Sequence, residues 1–204
     1  TSGTLYRTSY AIDSTRAEIL IAGSSRANHH YDAPLLAMKF GKTVYNTGRD
    51  GQGFLYSAAI ISAAIERYTP TLLILDIAPD ELAIDEKERL TCLLPYRNRP
   101  NIKPYIDYMG DFQQIMLFSK TYPYNSILSS IIAGNSSYVG TGIDYFGYLP
   151  LSGVLPENSL PKERIGKDDT IIPQKIAIFR DLLHKLEKKH INTYVVISPM
   201  YSFY

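Results

Sequence analysis

Apolar residues follow different rhythms along this chain, and each rhythm predicts a different element. Ala17 to Gly23 is a continuous apolar run broken only by Glu18. Its length and closing glycine predict a parallel strand covered on both faces. Residues 27 to 40 predict a short helix, with Pro34 near a helix start and Leu35, Leu36, Met38 and Phe40 as apolar surface. Thr43 to Asn46 predicts a short second strand. Residues 52 to 67 place Phe54, Leu55, Ala58, Ile61 and Ile65, with Tyr68 beyond, at steps of three and four, which predicts an amphipathic helix. Pro70 ends it, and "TLLILDI" at 71 to 77 is the clearest buried strand. Ile172, Ile176, Phe179, Leu183 and Leu186 mark one face of a helix from Pro173 to about His190, and "TYVVIS" at 193 to 198 predicts a last strand.

From about 85 to 170 the periodicity gives way to Pro, Gly, Tyr, Asn and Ser, with short helical hints at 81 to 94 and 111 to 133. That is too long for a plain loop and predicts a helical or irregular insertion. Eight of the 17 tyrosines fall in this stretch. They suit either an aromatic cap for sugar rings or an irregular subcore whose hydroxyls satisfy loop backbone. Strands alternating with helices predict an α/β doubly wound domain, whose ligand site lies at the carboxyl ends of its parallel strands. Ser24, Ser25, Asn46 to Gly53, Asp76 to Asp80 and Ser198 to Tyr201 would converge there.

Length and composition narrow the function. The 204 residues suffice for one sizeable core, so a single domain spanning 1–204, with the 85–170 insertion inside it, is expected. A net charge of +1 with scattered basic residues gives no surface for tracking nucleic acid. The lone Cys92 can form neither an internal disulfide nor a cysteine-ligated zinc site. No run of eighteen apolar residues is present to span a membrane. The chain begins at Thr1 rather than methionine, which leads to the expectation of a removed leader or N-terminal anchor.

Two turns carry the candidate chemistry. Gly23-Ser24-Ser25-Arg26, directly after the first strand, is either a helix cap or the seat of a serine nucleophile over a helix N-terminus. Asn46-Thr47-Gly48-Arg49-Asp50-Gly51 follows the second strand, with glycines that let backbone N–H groups approach a ligand. Arg26 and Arg49 flank the two turns, fit for a substrate carboxylate or phosphate or for a salt bridge with Asp50 or Asp80.

Together these turns resemble the SGNH (GDSL-type) hydrolase family. The Gly-Ser-Ser-Arg variant looks more like the branch that contains the teichoic-acid D-alanine transfer and alginate O-acetylation proteins. The resemblance implies a flavodoxin-like three-layer α/β/α fold with Ser25 as nucleophile and the N–H groups of Ser25 and Gly51 as oxyanion donors. Arg26, Asn46 and Arg49 would be substrate-binding residues. The implied reaction is ester hydrolysis or O-acyl transfer on a small acyl ester or acylated cell-surface glycan. No metal or cofactor is called for, localisation would be the cell envelope, and membrane contact would come only through an N-terminal anchor.

The chain departs from the family twice. Ile77-Ala78-Pro79-Asp80 stands where the family has Gly-x-Asn-Asp, so a proline replaces one oxyanion donor, and Asp80 reads as a helix cap. No Asp-x-x-His, the family's source of the catalytic histidine, occurs in the sequence. The expectation is therefore a C-terminally incomplete enzyme or a domain that never had this base. For His29 and His30 a reach back to Ser25 is conceivable but geometrically awkward, and the alternative is that they pack or line the pocket mouth; His184 and His190 read as structural residues of the last helix. The rival functions are a catalytically inactive SGNH-like binding or assembly domain and a phosphate binder using the same loops.

Overall fold

The computed structural model describes residues 4–78, 80–110, 146–153 and 170–199. The helical hint at 111 to 133, and with it Tyr122, Tyr124, Tyr138 and Tyr145, lies outside the described residues. The elements in chain order are α1 (Thr4–Asp13), β1 (Ile19–Ala22), α2 (Ser25–His30), α3 (Ala33–Phe40), β2 (Val44–Asn46), α4 (Phe54–Arg67) and β3 (Leu72–Asp76). A 3-10 segment (Lys87–Tyr96), α5 (Lys103–Asp107), α6 (Pro173–Lys188) and β4 (Asn192–Val196) follow.

The four strands form one parallel sheet in the order β2-β1-β3-β4. Alternation along the strands splits the core in two. Leu20, Ala22, Tyr45, Leu73 and Leu75 pack with α1, α4, α5 and α6, whereas Ile19, Ile21 and Val44 pack with α2 and α3. Helices therefore cover both faces, as the α/β pattern predicted. The chain leaves β1 toward β2 on one side and then crosses to β3 on the other. The carboxyl ends of β1 and β3 thus form the switch point where such sheets open a crevice.

Four local departures from the sequence expectations have physical causes. The helix expected over 27 to 40 is two helices, because the Asp32 carboxylate accepts the Leu35 N–H at 2.9 Å and starts α3 afresh. α3 packs through Ala33, Leu36 and Ala37, and leaves Leu35, Met38 and Phe40 exposed. α4 is buried all round from Phe54 to Ile65 rather than on one stripe. Its small residues let other elements close in, as where Ser62 Oγ meets Tyr105 OH at 2.8 Å. On α6 the buried line is Lys175, Leu182 and Leu186, with Phe179 partly buried, so the inward face is rotated from the one the large apolar residues marked. α1 gave no clear periodic signal, yet its Ala11 and Ile12 are 1% exposed against the main core. β4 is an edge strand, with Tyr194 and Val195 exposed.

Candidate functional site

β1 delivers the chain to Gly23, which adopts φ +153°. A Cβ there would lie 2.7 Å from both Ala27 Cβ and the Asp76 carbonyl oxygen, so only glycine lets the serine turn sit this close to β3. Ser24 occupies the N-cap of α2 but its side chain makes no cap hydrogen bond. Ser25 is the first helical residue and half-buried. With six residues, α2 has little macrodipole; what its start offers a developing anion is backbone N–H groups rather than a helix field.

The second turn is stitched to the first by hydrogen bonds. Thr47 N–H and hydroxyl both donate to the Ile21 carbonyl, at 2.8 and 2.9 Å, and Arg49 N–H donates to the Gly23 carbonyl at 3.3 Å. Asn46 is fully buried. Its Nδ2 donates to the carbonyls of Ala27 (2.7 Å) and Tyr31 (3.1 Å), and its Oδ1 accepts the Gly48 N–H at 2.9 Å. Asn46 is thus a clamp between the two turns rather than the substrate contact the resemblance implied, because its polar atoms are already occupied. Gly51 stands at the exposed end of the second turn, with φ +71° and open space around it.

The arginines are anchored inward. Arg26 pairs with Asp76 at 3.0 Å, and its Nε is buried without a hydrogen-bond partner among the described residues. Arg49 donates to Thr8 Oγ1 at 2.9 Å and lies over the Tyr56 ring, 5.6 Å from its centroid. Asp76, wholly buried at the end of β3, also accepts Tyr31 OH at 2.8 Å and the Ser198 hydroxyl beyond β4. One carboxylate therefore ties α2 to the ends of β3 and β4.

A second network holds the far side of α2. Asn28 is 1% exposed; its Oδ1 accepts Arg7 Nη2 at 2.7 Å, and its Nδ2 donates to Asp50 Oδ1 at 2.8 Å. His29 Nε2 lies 2.8 Å from the same Asp50 oxygen, and its Nδ1 lies 2.6 Å from the Leu149 carbonyl. Both ring nitrogens are therefore already engaged. The segment around Phe146 to Leu149 crosses here, with Asn46 N–H donating to the Phe146 carbonyl and Leu149 N–H to the Asn28 carbonyl.

Residues 77 to 86, after β3, add two carboxyl groups that sequence reasoning did not single out. Glu86 is 2% exposed and pairs with the fully buried Lys175 at 3.2 Å, while its Oε2 also accepts the Leu55 N–H at the start of α4. Glu81 is 6% exposed; its Oε1 accepts the Ala78 N–H at 3.2 Å. Burial pushes the Glu81 carboxyl up to about 7, against the pull of the Ala78 N–H; Glu86 adds to the rise, while the Ser24 hydroxyl and Arg26 oppose it. Pro79 lies outside the described residues.

The raised value has a consequence for stability. Below about 4.5, the ordinary value, Glu81 is protonated in both the folded and unfolded chain. Between there and about 7 the folded chain keeps a proton that the unfolded chain has lost, so stability falls as pH rises through this window. The slope from this group is at most about 1.4 kcal/mol per pH unit. Urea unfolding of the wild type and Glu81→Gln across this range should show that slope removed by the substitution; parallel curves would refute it.

Among the described residues no group of three or more His, Cys, Asp or Glu side chains converges as a metal site. No described helix is long and apolar enough to cross a membrane. A groove lined by Ser62, Glu66, Tyr105, Asp181 and Lys185 includes none of Ser25, Arg26, Asn46, Arg49 and Gly51. Comparison with protein-family models, with curated proteins and with solved structures finds no match.

Proposed function

We propose that this chain is an SGNH-type domain that handles acyl esters through a covalent acyl-serine on Ser25, by hydrolysis or by O-acyl transfer. The observation that carries the reading is the position of Ser25, half-buried at the first residue of α2, where the chain leaves β1 beside the β3 end. The turn bearing Arg49 and Gly51 is bonded to the Ser25 turn, as the Arg49 N–H to Gly23 carbonyl bond requires. In this reading the N–H groups of Ser25 and Gly51 would meet the developing oxyanion. The substrates in this reading are small acyl esters or acylated cell-surface glycans, and its location is the cell envelope.

The test is intact-mass spectrometry after incubation with a fluorophosphonate, which captures an activated serine. One adduct is expected on the wild type and none on Ser25→Ala. A wild type that stays unmodified would sink the reading. It would favour a binding or assembly domain, for which the inward commitments of Arg26, Asn46 and Arg49 and the engagement of both His29 nitrogens already speak.

A further inference from the structure

Clefts that hold small molecules measure roughly 300–1,000 Å³, are mostly apolar and carry a few polar groups that fix orientation. The groove between α4, α5 and α6 encloses about 410 Å³. Ile65 from α4, Ile178 from α6, the Tyr105 ring, Pro100 and Pro104 form its apolar surface. The Tyr105 hydroxyl bonds Ser62 Oγ at 2.8 Å and donates to the Ala58 carbonyl at 3.1 Å, so the buried floor has no polar atom to offer a ligand.

The charged groups stand on the rim, and two of them are left over. Asp181 and Lys185, one turn apart on α6, pair at 2.7 Å. Arg67, next to Glu66, is turned back to the Ile12 and Thr15 carbonyls. Glu66 and Lys189 both line the groove and are exposed, and neither side chain has an ion-pair or hydrogen-bond partner among the described residues. Their helices bring them to the same end of the groove. α4 leads into β3 and α6 into β4, and these strands run parallel with Leu72 opposite Asn192. The last turn of α4, with Glu66, and the end of α6, with Lys189, therefore both stand at the amino ends of the sheet, opposite to the serine turn.

We infer that this groove is a second binding site, for a small apolar zwitterion of the kind of a branched or aromatic α-amino acid. The ammonium meets Glu66, the carboxylate meets Lys189, and the side chain lies against Ile65, Ile178 and the Tyr105 ring. A hydrocarbon would leave both rim charges unused, and an anion alone would be repelled by Glu66; a molecule carrying both charges matches both sides. The inference is independent of the acyl-serine reading, because the groove includes no residue of either glycine turn.

Isothermal titration calorimetry of the full chain with L-phenylalanine, and with glycine as the zwitterion lacking an apolar body, tests it. Saturable one-to-one binding is expected for phenylalanine and none for glycine. Glu66→Gln and Lys189→Gln should each weaken phenylalanine binding about fivefold or more, and Ala177→Phe, which puts a ring into the groove, should abolish it. N-acetylphenylalanine, which has no ammonium, should bind the wild type and Glu66→Gln alike. Phenylalaninamide, which has no carboxylate, should bind the wild type and Lys189→Gln alike. Glu66, Ala177 and Lys189 are exposed, so all three variants should unfold in urea as the wild type does. A wild type that shows no saturable binding of phenylalanine up to about 10 mM would overturn the inference. So would an affinity that the three substitutions leave unchanged, or glycine binding as tightly as phenylalanine.

Discussion

Lys175→Met should lower the unfolding free energy by about 3–5 kcal/mol, the usual cost of leaving one partner of a buried ion pair behind. The Lys175 ammonium is fully buried and is held by Glu86 and by the Glu81 and Ile84 carbonyls. Removing it strands a carboxylate that is 2% exposed and takes the donor from the Glu81 and Ile84 carbonyls. A double variant, Lys175→Met with Glu86→Leu, should recover part of the loss, because a neutral apolar pair is often as stable as a buried ion pair. A residual deficit of about 2–3 kcal/mol is expected, since Leu55 N–H then loses its acceptor and the Glu81 and Ile84 carbonyls still lack the ammonium. Urea unfolding at one pH decides it: a single variant within about 1 kcal/mol of the wild type would mean the pair is hydrated in solution.

That pair also explains which parts of the molecule could be read in advance. β1 and β3 were legible because a strand covered on both faces reads as a near-continuous apolar run, as Ile19–Ala22 and residues 72 to 75 do. The start of α4 was legible only as a rhythm. Gly53 at its N-cap has no side chain to offer, and the acceptor for Leu55 N–H comes from Glu86, 31 residues later. Lys175 reads as a solvated residue next to an apolar face, and nothing in its neighbours says that the 77–86 segment will cover it. The α6 face was misplaced for the same reason: the large apolar residues pointed to Ile176, whereas the cover over Lys175 and the sheet under Leu182 set the inward direction.

The candidate site divides in the same way. The two glycine turns were legible because a Gly-Ser-Ser after a buried strand and an Asn-x-Gly-x-x-Gly after the next have few places to go in a doubly wound sheet. What each polar side chain does was not legible, since a residue next to a turn can face either the crevice or the interior. Asn46 and Arg26 face the interior, and Tyr31 and Asp76, which they bond, lie 15 and 50 residues away. Glu81 is the extreme case. In "APDELAIDE" four carboxyl residues look alike, and only the fold buries the second and the fourth of them, Glu81 and Glu86.

Asp76→Ala should be the other severe substitution, again about 3–5 kcal/mol, and its effect should extend to the serine turn. Asp76 is the common acceptor for Arg26, Tyr31 and Ser198, and it has no exposure of its own. Arginine cannot shed its charge to relieve the loss, so the guanidinium must find water by moving α2, and Ser25 moves with it. Asp76→Asn keeps the shape and one acceptor oxygen, so it should cost less than the alanine variant and keep more of the fluorophosphonate labelling. Replacing both partners, Arg26→Met with Asp76→Leu, should restore stability while leaving labelling impaired, because the apolar pair packs but no longer fixes the helix start through Tyr31 and Ser198. Urea unfolding and labelling rate measured on the same four proteins separate the two effects. If labelling simply follows stability across the set, Asp76 only holds the fold; if it falls further than stability does, Asp76 also sets the orientation of Ser25.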